Sequence, residues 1–549
     1  MAGTINSLMK EVVNEYLNRI DMNNPPTPPQ VECDLIEWVN KEITFRNSVA
    51  PKDDKWRKIQ CLEPAMIADV ILVFHSVRRI ILDGVEKGSG YALMVYQTDG
   101  EDEGIYVGDE NAFKRLIRLY NYSIKDHGIN EVIQILNTNA PLCKVNTNPD
   151  FIAVNNGIFD YKKKQLLPFS PEIVFTSKSS VNYNEKATVN PVIHNNEDGT
   201  DWDVESWMES LSDNPGIVNL LWQVIGAVIR NQVHWDRVIC LYSTKGNNGK
   251  GTLCTLLRNI CGEGNSTAIQ FSAFDKDFLL ESLPSVSAII TDENDTAVFT
   301  KGASALKAVI TGDVLQVNRK WQKAISFRFN GLMVQCVNEF PRIGDKSESL
   351  YRRFLMIPFE KSFKGKERKY IKEKYLERAE VLEYVLRKVL HMSYYSFDEP
   401  MACQELLDVY KEYNDPIRQF VNEIMPRLVW GVVPPKFLYD LYVSWSKKNN
   451  PSGIVISQNH FSNDVANIIA DSTEWEDRRR STVRTGNKMD APEPLIMEYD
   501  LKDWMNPGYN GHDIDKRCIP LIKEVCRGWL RKGWKNNYKS GVVIDVISE

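Results

Sequence analysis

Val238-Ile239-Cys240-Leu241-Tyr242-Ser243-Thr244-Lys245-Gly246-Asn247-Asn248-Gly249-Lys250-Gly251-Thr252 decides the reading of this chain. An apolar run passes into a glycine-rich turn. Leu253, Leu256, Leu257 and Ile260 then recur at helical spacing up to Gly262. Strand, glycine turn and helix form the setting in which backbone N–H groups and a helix N-terminus cradle phosphates. Gly246, Asn247, Asn248, Gly249, Lys250, Gly251 and Thr252 are therefore candidate ligands of a nucleoside triphosphate, with Lys250 neutralising its β and γ phosphates. Two positions depart from the pattern G-x-x-x-x-G-K-[ST]: Thr244 replaces the first glycine and Gly251 the magnesium-binding hydroxyl. Thr252 offers a hydroxyl one position later.

Downstream, Val286-Ser287-Ala288-Ile289-Ile290-Thr291 ends at Asp292-Glu293. A buried strand that delivers two carboxylates to a sheet edge suits the second half of a nucleotide hydrolase. Asp292 would hold Mg²⁺ and Glu293 would polarise the attacking water. Another apolar run, Leu332 to Val337, ends at Asn338, whose amide can orient that water or sense the γ-phosphate. Arg352 and Arg353 then precede the run Phe354–Phe359. A guanidinium there can stabilise transition-state charge in a neighbouring subunit, and the sequence leaves open which of the two points outward.

Composition bounds the possibilities. The 549 residues exceed one core, and 43% hydrophobic with 26% charged residues is ordinary for a globular protein. A net charge of −6 excludes a uniformly basic coat, so any DNA contact must come from local basic patches. The ten cysteines form no C-x-x-C pair and the seven histidines are dispersed, which argues against a zinc site and for reduced cytoplasmic thiols. The most apolar stretch, Met66 to Phe74, is too short to span a membrane, and no secretion signal is expected.

Together these residues resemble the phage/plasmid type of superfamily 3 helicases, the group that includes the poxvirus primase-helicase and satellite-phage replication proteins. Gly246 to Thr252 looks like that group's phosphate loop, and Asp292-Glu293 like its acidic pair. Leu306-Lys307-Ala308-Val309-Ile310-Thr311-Gly312-Asp313, with Asn318-Arg319-Lys320-Trp321, is similar to a segment specific to the family. Asn338-Glu339-Phe340-Pro341-Arg342, Tyr351-Arg352-Arg353 and Ile357-Pro358-Phe359 continue the match. Upstream, Val154 to Asp160 and Leu167 to Pro171 resemble the domain that precedes this motor.

The resemblance implies an AAA+ fold, a homo-hexameric ring, ATP and Mg²⁺, and movement along single-stranded DNA at a fork. It also implies a pore hairpin, here about Leu315 to Phe327, in which Arg319, Lys320, Trp321 and Lys323 would grip the strand.

The expected architecture is α/β and multidomain: an AAA+ P-loop core, an α+β N-terminal domain and a C-terminal winged-helix-like domain. Its expected parts are 1–150, the N-terminal domain; 151–200, a family-specific segment and linker; and 201–362, the motor. A helical segment at 363–412, the winged-helix-like domain at 413–497 and a basic, aromatic tail at 498–549 complete it. Ser7 is read as the cap of the first helix, and Asp34 to Asn137 as mainly helical with a hairpin of Tyr91–Tyr96 and Ile105–Val107. Lys364 to Met392 reads as a charged helical stretch. Arg478 to Arg484 would lie in a basic wing, or in a charged surface loop. The tail Arg527–Lys539, with Trp529, Trp534 and Tyr538, fits a nucleic-acid contact or a docking helix equally. No acid pair of a primase is visible in the first 150 residues, so priming is expected from a separate protein. Two other readings stay open: a small-molecule P-loop kinase, and an origin-binding initiator or loader whose ATPase switches assembly.

Overall fold

In the computed structural model, the residues described are 4–82, 91–274, 276, 279–295, 303–319, 322–449, 455–470, 472–485, 489 and 491–534. They divide into two units, Met1–Leu407 and Asp408–Glu549.

The first unit opens with α1 (Ile5–Arg19), α2 (Pro28–Val49) and α3 (Pro64–Phe74), then β1 (Val77–Ile81), β2 (Tyr91–Tyr96) and β3 (Tyr106–Val107). α4 (Glu110–Arg118), α5 (Asp126–Asn139) and β4 (Leu142–Lys144) complete this part. The cap of α1 is Thr4 rather than Ser7; the Thr4 hydroxyl accepts from the Ser7 backbone N–H. β2 and β3 form the expected hairpin, with Val95 opposite Val107 and Tyr96 opposite Tyr106. It belongs to a four-stranded sheet ordered β3-β2-β1-β4. β1 lies where helical patterns were expected, because a five-residue run with Val77, Ile80 and Ile81 buried is too short for periodicity to separate strand from helix.

β5 (Phe151–Val154), β6 (Gly157–Asp160) and β7 (Gln165–Leu167) form an antiparallel sheet. The polar segment read as a linker is folded: β8 (Ile193–Asn195) pairs with β9 (Thr200–Trp202), burying Ile193 and Trp202.

The motifs sit on the next run of elements. These are α6 (Val204–Ser210), α7 (Pro215–Ala227), β10 (Val238–Tyr242), α8 (Lys250–Cys261), β11 (Ser266–Thr267) and β12 (Ala288–Thr291). α9 (Ser304–Thr311), β13 (Val314–Arg319), β14 (Gln322–Arg328), β15 (Leu332–Val337), α10 (Glu348–Tyr351) and β16 (Phe354–Pro358) follow. Five of the strands are parallel, in the order β11-β12-β15-β10-β16. A parallel sheet is covered on both faces, which is why its strands read as unbroken apolar runs. All six residues of β15 are buried. β13 and β14 make an antiparallel hairpin where one was expected.

The charged stretch 364–392 is helical in part. A π turn at Ile371–Tyr375 precedes α11 (Ala379–His391), and α12 (Met401–Asn414) follows. Glycine and lysine-rich sequence before Ile371 supplies no apolar stripe, whereas Val381, Val385, Val389 and Leu386 do supply one and are buried in the core.

The second unit contains α13 (Pro416–Ile424), β17 (Val432–Val433), α14 (Pro435–Asn449), α15 (Gln458–Ile469), β18 (Trp475–Arg484) and β19 (Val525–Arg531). Asp415 caps α13, its carboxylate accepting from the Ile417 N–H at 3.1 Å, with Pro416 at the first helical position. The strands form an antiparallel sheet ordered β17-β19-β18, and Phe420, Phe437, Trp445 and Phe461 fill the core beneath it. β19 corrects the reading of 498–549 as a tail, and of Arg527 onward as a docking helix. It is the central strand, and Trp529 is fully buried. Trp534 covers Gly431, where a Cβ would collide with the indole; Lys535 and Tyr538 lie outside the described residues. Among the described residues, no helix is long and apolar enough to cross a membrane.

Candidate nucleotide site

The loop between β10 and α8 is built by its own polar side chains. Asn248 donates to the Lys245 carbonyl at 2.5 Å and accepts from the Lys250 N–H at 3.3 Å, and Ser243 accepts from the Lys245 N–H. Gly249 caps α8 at φ +88°, and a Cβ there would lie 2.5 Å from Leu211, so conformation and packing both demand glycine. Thr244 to Asn247 face solvent, while Asn248 and Lys250 are buried.

Lys250 Nζ donates to Asn338 Oδ1 at 2.7 Å, to the Val337 carbonyl at 3.0 Å and to the Ser243 carbonyl at 3.4 Å. Those three acceptors use all three ammonium protons, and all are neutral oxygens. A buried cation without a carboxylate partner is costly, and burial accordingly holds Lys250 below the usual lysine range. An incoming phosphate would supply the missing negative charge.

One turn further along α8, Cys254 lies 3.4 Å from Cys336, sulfur to sulfur. The hydrogen bond to Cys336 and then burial keep the Cys254 thiol well above its ordinary range, and Asp292 lies within hydrogen-bonding reach of it. Another turn brings Arg258, which forks onto Asp292: Nη2 to Oδ1 at 2.7 Å and Nη1 to Oδ2 at 3.1 Å. Burial pushes the Arg258 guanidinium down, but the hydrogen bond and charge of Asp292 outweigh this and leave it raised. The face of α8 bearing Lys250, Cys254 and Arg258 thus meets Asn338, Cys336 and Asp292 at the ends of β15 and β12. Parallel pairing of Thr291 with Gln335 sets Asp292 level with Cys336. Asn294 fixes the chain beyond Asp292 by donating to Gln335 and to the Cys336 carbonyl, both at 2.9 Å.

Lys250 therefore meets Asn338 directly, and Asp292 meets the same face of α8 through Cys254 and Arg258. Glu293 follows Asp292 and is exposed. Thr252 does not face Asp292; it lines a cleft on another side of α8 with Asn247 and Gly249. Arg352 is exposed, whereas Arg353 turns inward onto the Ser349 carbonyl and hydroxyl. Lys320 and Trp321 lie outside the described residues, and Arg319 and Lys323 fall on β13 and β14. In the second unit Arg478 pairs with Glu476 and Arg479 with Asp477, which neutralises two cations expected for the wing.

Sequence reasoning missed the cleft. It holds about 570 Å³ and is lined by the apolar Trp202, Trp207, Phe363 and Ile371 together with charged side chains of both signs, among them Asp203, Lys366, Glu367 and Lys372. A volume in the range of small-molecule sites suits a base and ribose. One wall is tied to the glycine-rich loop: the Phe363 N–H donates to the Asn247 carbonyl at 2.7 Å, and Asn247 donates to Glu367 at 2.7 Å. Arg258, Cys254 and Cys336 were also missed. The one available signal for Arg258 was its place on α8 eight residues after Lys250, two turns along one face.

Residues 44–213 match the family described as D5 N terminal like. Residues 241–353 match a family of unknown function, DUF5906, and 412–505 match the poxvirus D5 protein-like family. An A-form apo structure of the NrS-1 C-terminal region is 15% identical, with a TM-score of 0.38, over 77% of this chain and 88% of that one. A second A-form structure gives 15% and 0.39 over 83% and 94%, and a further apo structure 15% and 0.38 over 74% and 90%. Over its N-terminal and C-terminal matched segments, this chain is similar to D5-type proteins.

Proposed function

We propose that this chain is an ATP-driven motor of the superfamily 3 type, acting on single-stranded DNA in replication of a phage, plasmid or other mobile element. The observation that carries the reading is the buried Lys250 ammonium, held by neutral oxygens alone at the mouth of a glycine loop beside Asp292 and Asn338. The D5-like segments on either side of the loop add support.

In this reading Lys250 and the backbone N–H groups of 247–251 take the phosphates, and the cleft walled by Trp207 and Phe363 takes the base. Asp292 fits as a magnesium ligand, since that cation binds through one or two carboxylates and fills its shell with water and phosphate oxygens. When bound, Mg²⁺ would neutralise phosphate charge. Glu293 orients and polarises water, Asn338 passes from Lys250 to the γ-phosphate, and Arg352 reaches a neighbouring subunit's site in a hexamer. Arg258 holds the Asp292 carboxylate aimed, through hydrogen bonds to both of its oxygens. The β13–β14 hairpin grips the strand through Arg319, Lys320, Trp321 and Lys323. In the second unit, three helices with a β17-β19-β18 sheet make a winged-helix-like body.

ATP hydrolysis measured with and without single-stranded DNA, and strand displacement on a fork, test the proposal. Wild type should be stimulated by DNA and should unwind. Glu293→Gln should keep ATP and DNA binding while losing turnover. Turnover indifferent to DNA would favour a kinase, and hydrolysis without unwinding would favour an initiator or loader.

A further inference from the structure

Cys254 and Cys336 have no part in the proposed hydrolysis, yet they form a compact group with Asp292. One sulfur atom from α8, one from β15 and a carboxylate oxygen from the end of β12 all lie within 4.8 Å of one another. The two sulfurs are 3.4 Å apart. We propose that these three side chains bind one soft divalent cation of the zinc class.

Geometry and chemistry agree on the class. In a tetrahedral zinc site, metal–sulfur bonds of about 2.3 Å put two sulfurs roughly 3.8 Å apart, so this pair needs to open by only a few tenths of an ångström. Thiolates select zinc-like metals over magnesium, which prefers an all-oxygen octahedron. Three protein ligands leave a fourth position for water. Arg258 already donates to both oxygens of Asp292. A carboxylate has about four acceptor sites, so Asp292 can bind a metal while Arg258 stays as its hydrogen-bonded support.

Charge also balances. Binding releases one proton from each thiol to solvent. The two thiolates and the Asp292 carboxylate then offset the charge of the cation and that of Arg258. Both thiols are buried, with Cys254 at 0% and Cys336 at 3% exposure, while Asp292 is partly exposed. The carboxylate is the side from which a cation enters. Because Asp292 would also serve magnesium, the soft cation and the magnesium-bound nucleotide exclude one another. Binding of the soft cation itself needs no nucleotide, so it stands or falls separately from the ATPase reading.

The test is titration of the reduced, metal-free full chain with Co²⁺, following the thiolate-to-cobalt charge-transfer absorbance. One equivalent should saturate the signal, Zn²⁺ should abolish it, and a large excess of Mg²⁺ should leave it intact. Cys254→Ser/Cys336→Ser should lose the band, Asp292→Asn should weaken binding at least tenfold, and Cys33→Ser, at an exposed thiol on α2, should keep the band. No charge-transfer band in wild type, or an unchanged band in the double variant, overturns the proposal. If the double variant does not fold, alkylation of wild type decides: Zn²⁺ should slow modification of Cys254 and Cys336 but not of Cys33. Equal rates with and without zinc also overturn it.

Discussion

Two sides of the helix α8 face different surroundings. On one, Lys250, Cys254 and Arg258 follow at four-residue steps and meet Asn338, Cys336 and Asp292. On the other, Thr252 opens onto the cleft of Trp207 and Phe363. At 100° per residue Thr252 stands roughly 200° round the helix from Lys250. The first side is closed, and its polar groups already have partners. The second is open and largely apolar. Catalytic electrostatics gain from a dry, fixed setting, whereas recognition of a base gains from an accessible apolar slot. In the proposed ATPase one helix would serve both, because its 3.6-residue period separates the two sets of side chains.

The largest effect expected from this contrast is the difference between Lys250→Ala and Thr252→Ala. Removing the ammonium should lower ATP turnover by a factor on the order of 100 or more, as loss of a fixed charge at a phosphoryl site does. Thr252→Ala should lower kcat by no more than about threefold, because the hydroxyl does not reach Asp292, and should act mainly on KM. Steady-state hydrolysis by both variants checks this. A hundredfold loss in kcat for Thr252→Ala would return the hydroxyl to the magnesium and erase the distinction between the two sides.

The closed side was legible in the sequence because local rules built it. β10, β15 and β16 are apolar runs, the loop has its glycines, and Asp292 and Asn338 follow strands directly. Their convergence follows from a parallel sheet, whose strands deliver their C-terminal ends to one edge. Arg258 and the thiol pair were not legible. Cys254 and Cys336 are 82 residues apart, and only the register of β12 on β15 makes Asp292 their neighbour. The cleft was hidden for another reason. Its walls come from Trp202 and Trp207 before the loop and from Phe363 and Ile371 well after it, around the start of a stretch that reads only as charged and helical. In the second unit, α13 announced itself through Asp415 and Pro416, but β19 did not. Its Trp529 and flanking cations have the same composition as a surface contact, and only pairing on both edges shows it to be a central strand.

The open side gives the next prediction. Base stacking on an aromatic ring is worth about 1–3 kcal/mol by alanine substitution, the upper part of which needs a fully sandwiched base. Phe363 is partly buried at the cleft wall rather than deep in the core, so Phe363→Ala should fold. It should raise KM for ATP by roughly fivefold, while inhibition by tripolyphosphate, which has no base, stays within about twofold of wild type. Competition assays with the two ligands separate the effects. Equal weakening of both would mean that the ring supports the loop through the bond between the Phe363 N–H and the Asn247 carbonyl, instead of contacting a base.

The smallest expected effect concerns a second lysine in the same electrostatic position as Lys250. Lys164 donates to the carbonyls of Leu390 at 2.8 Å and Met392 at 2.6 Å and lies 3.5 Å over the Tyr161 ring. Again its acceptors are neutral oxygens. Burial first, and then Arg230, hold it down to about 8. Its unfolded-state value is about 10.4, so between about pH 8 and 10.4 the unfolded chain binds the extra proton. Stability from this group therefore rises with pH across that window, and the cost of burying the charge is fully present below it. The side chain is only partly buried and solvent screens it, so the change in Tm should be on the order of a degree. Thermal melts of wild type and Lys164→Met, compared as slopes against pH from 8 to 10, isolate the contribution, since all other titrations are shared. Wild type should have the more positive slope. Parallel slopes would mean that the two carbonyls and the ring compensate the buried charge. Neutral oxygens alone would then be enough to hold an ammonium, and only the geometry of the glycine loop would mark Lys250 as awaiting a phosphate.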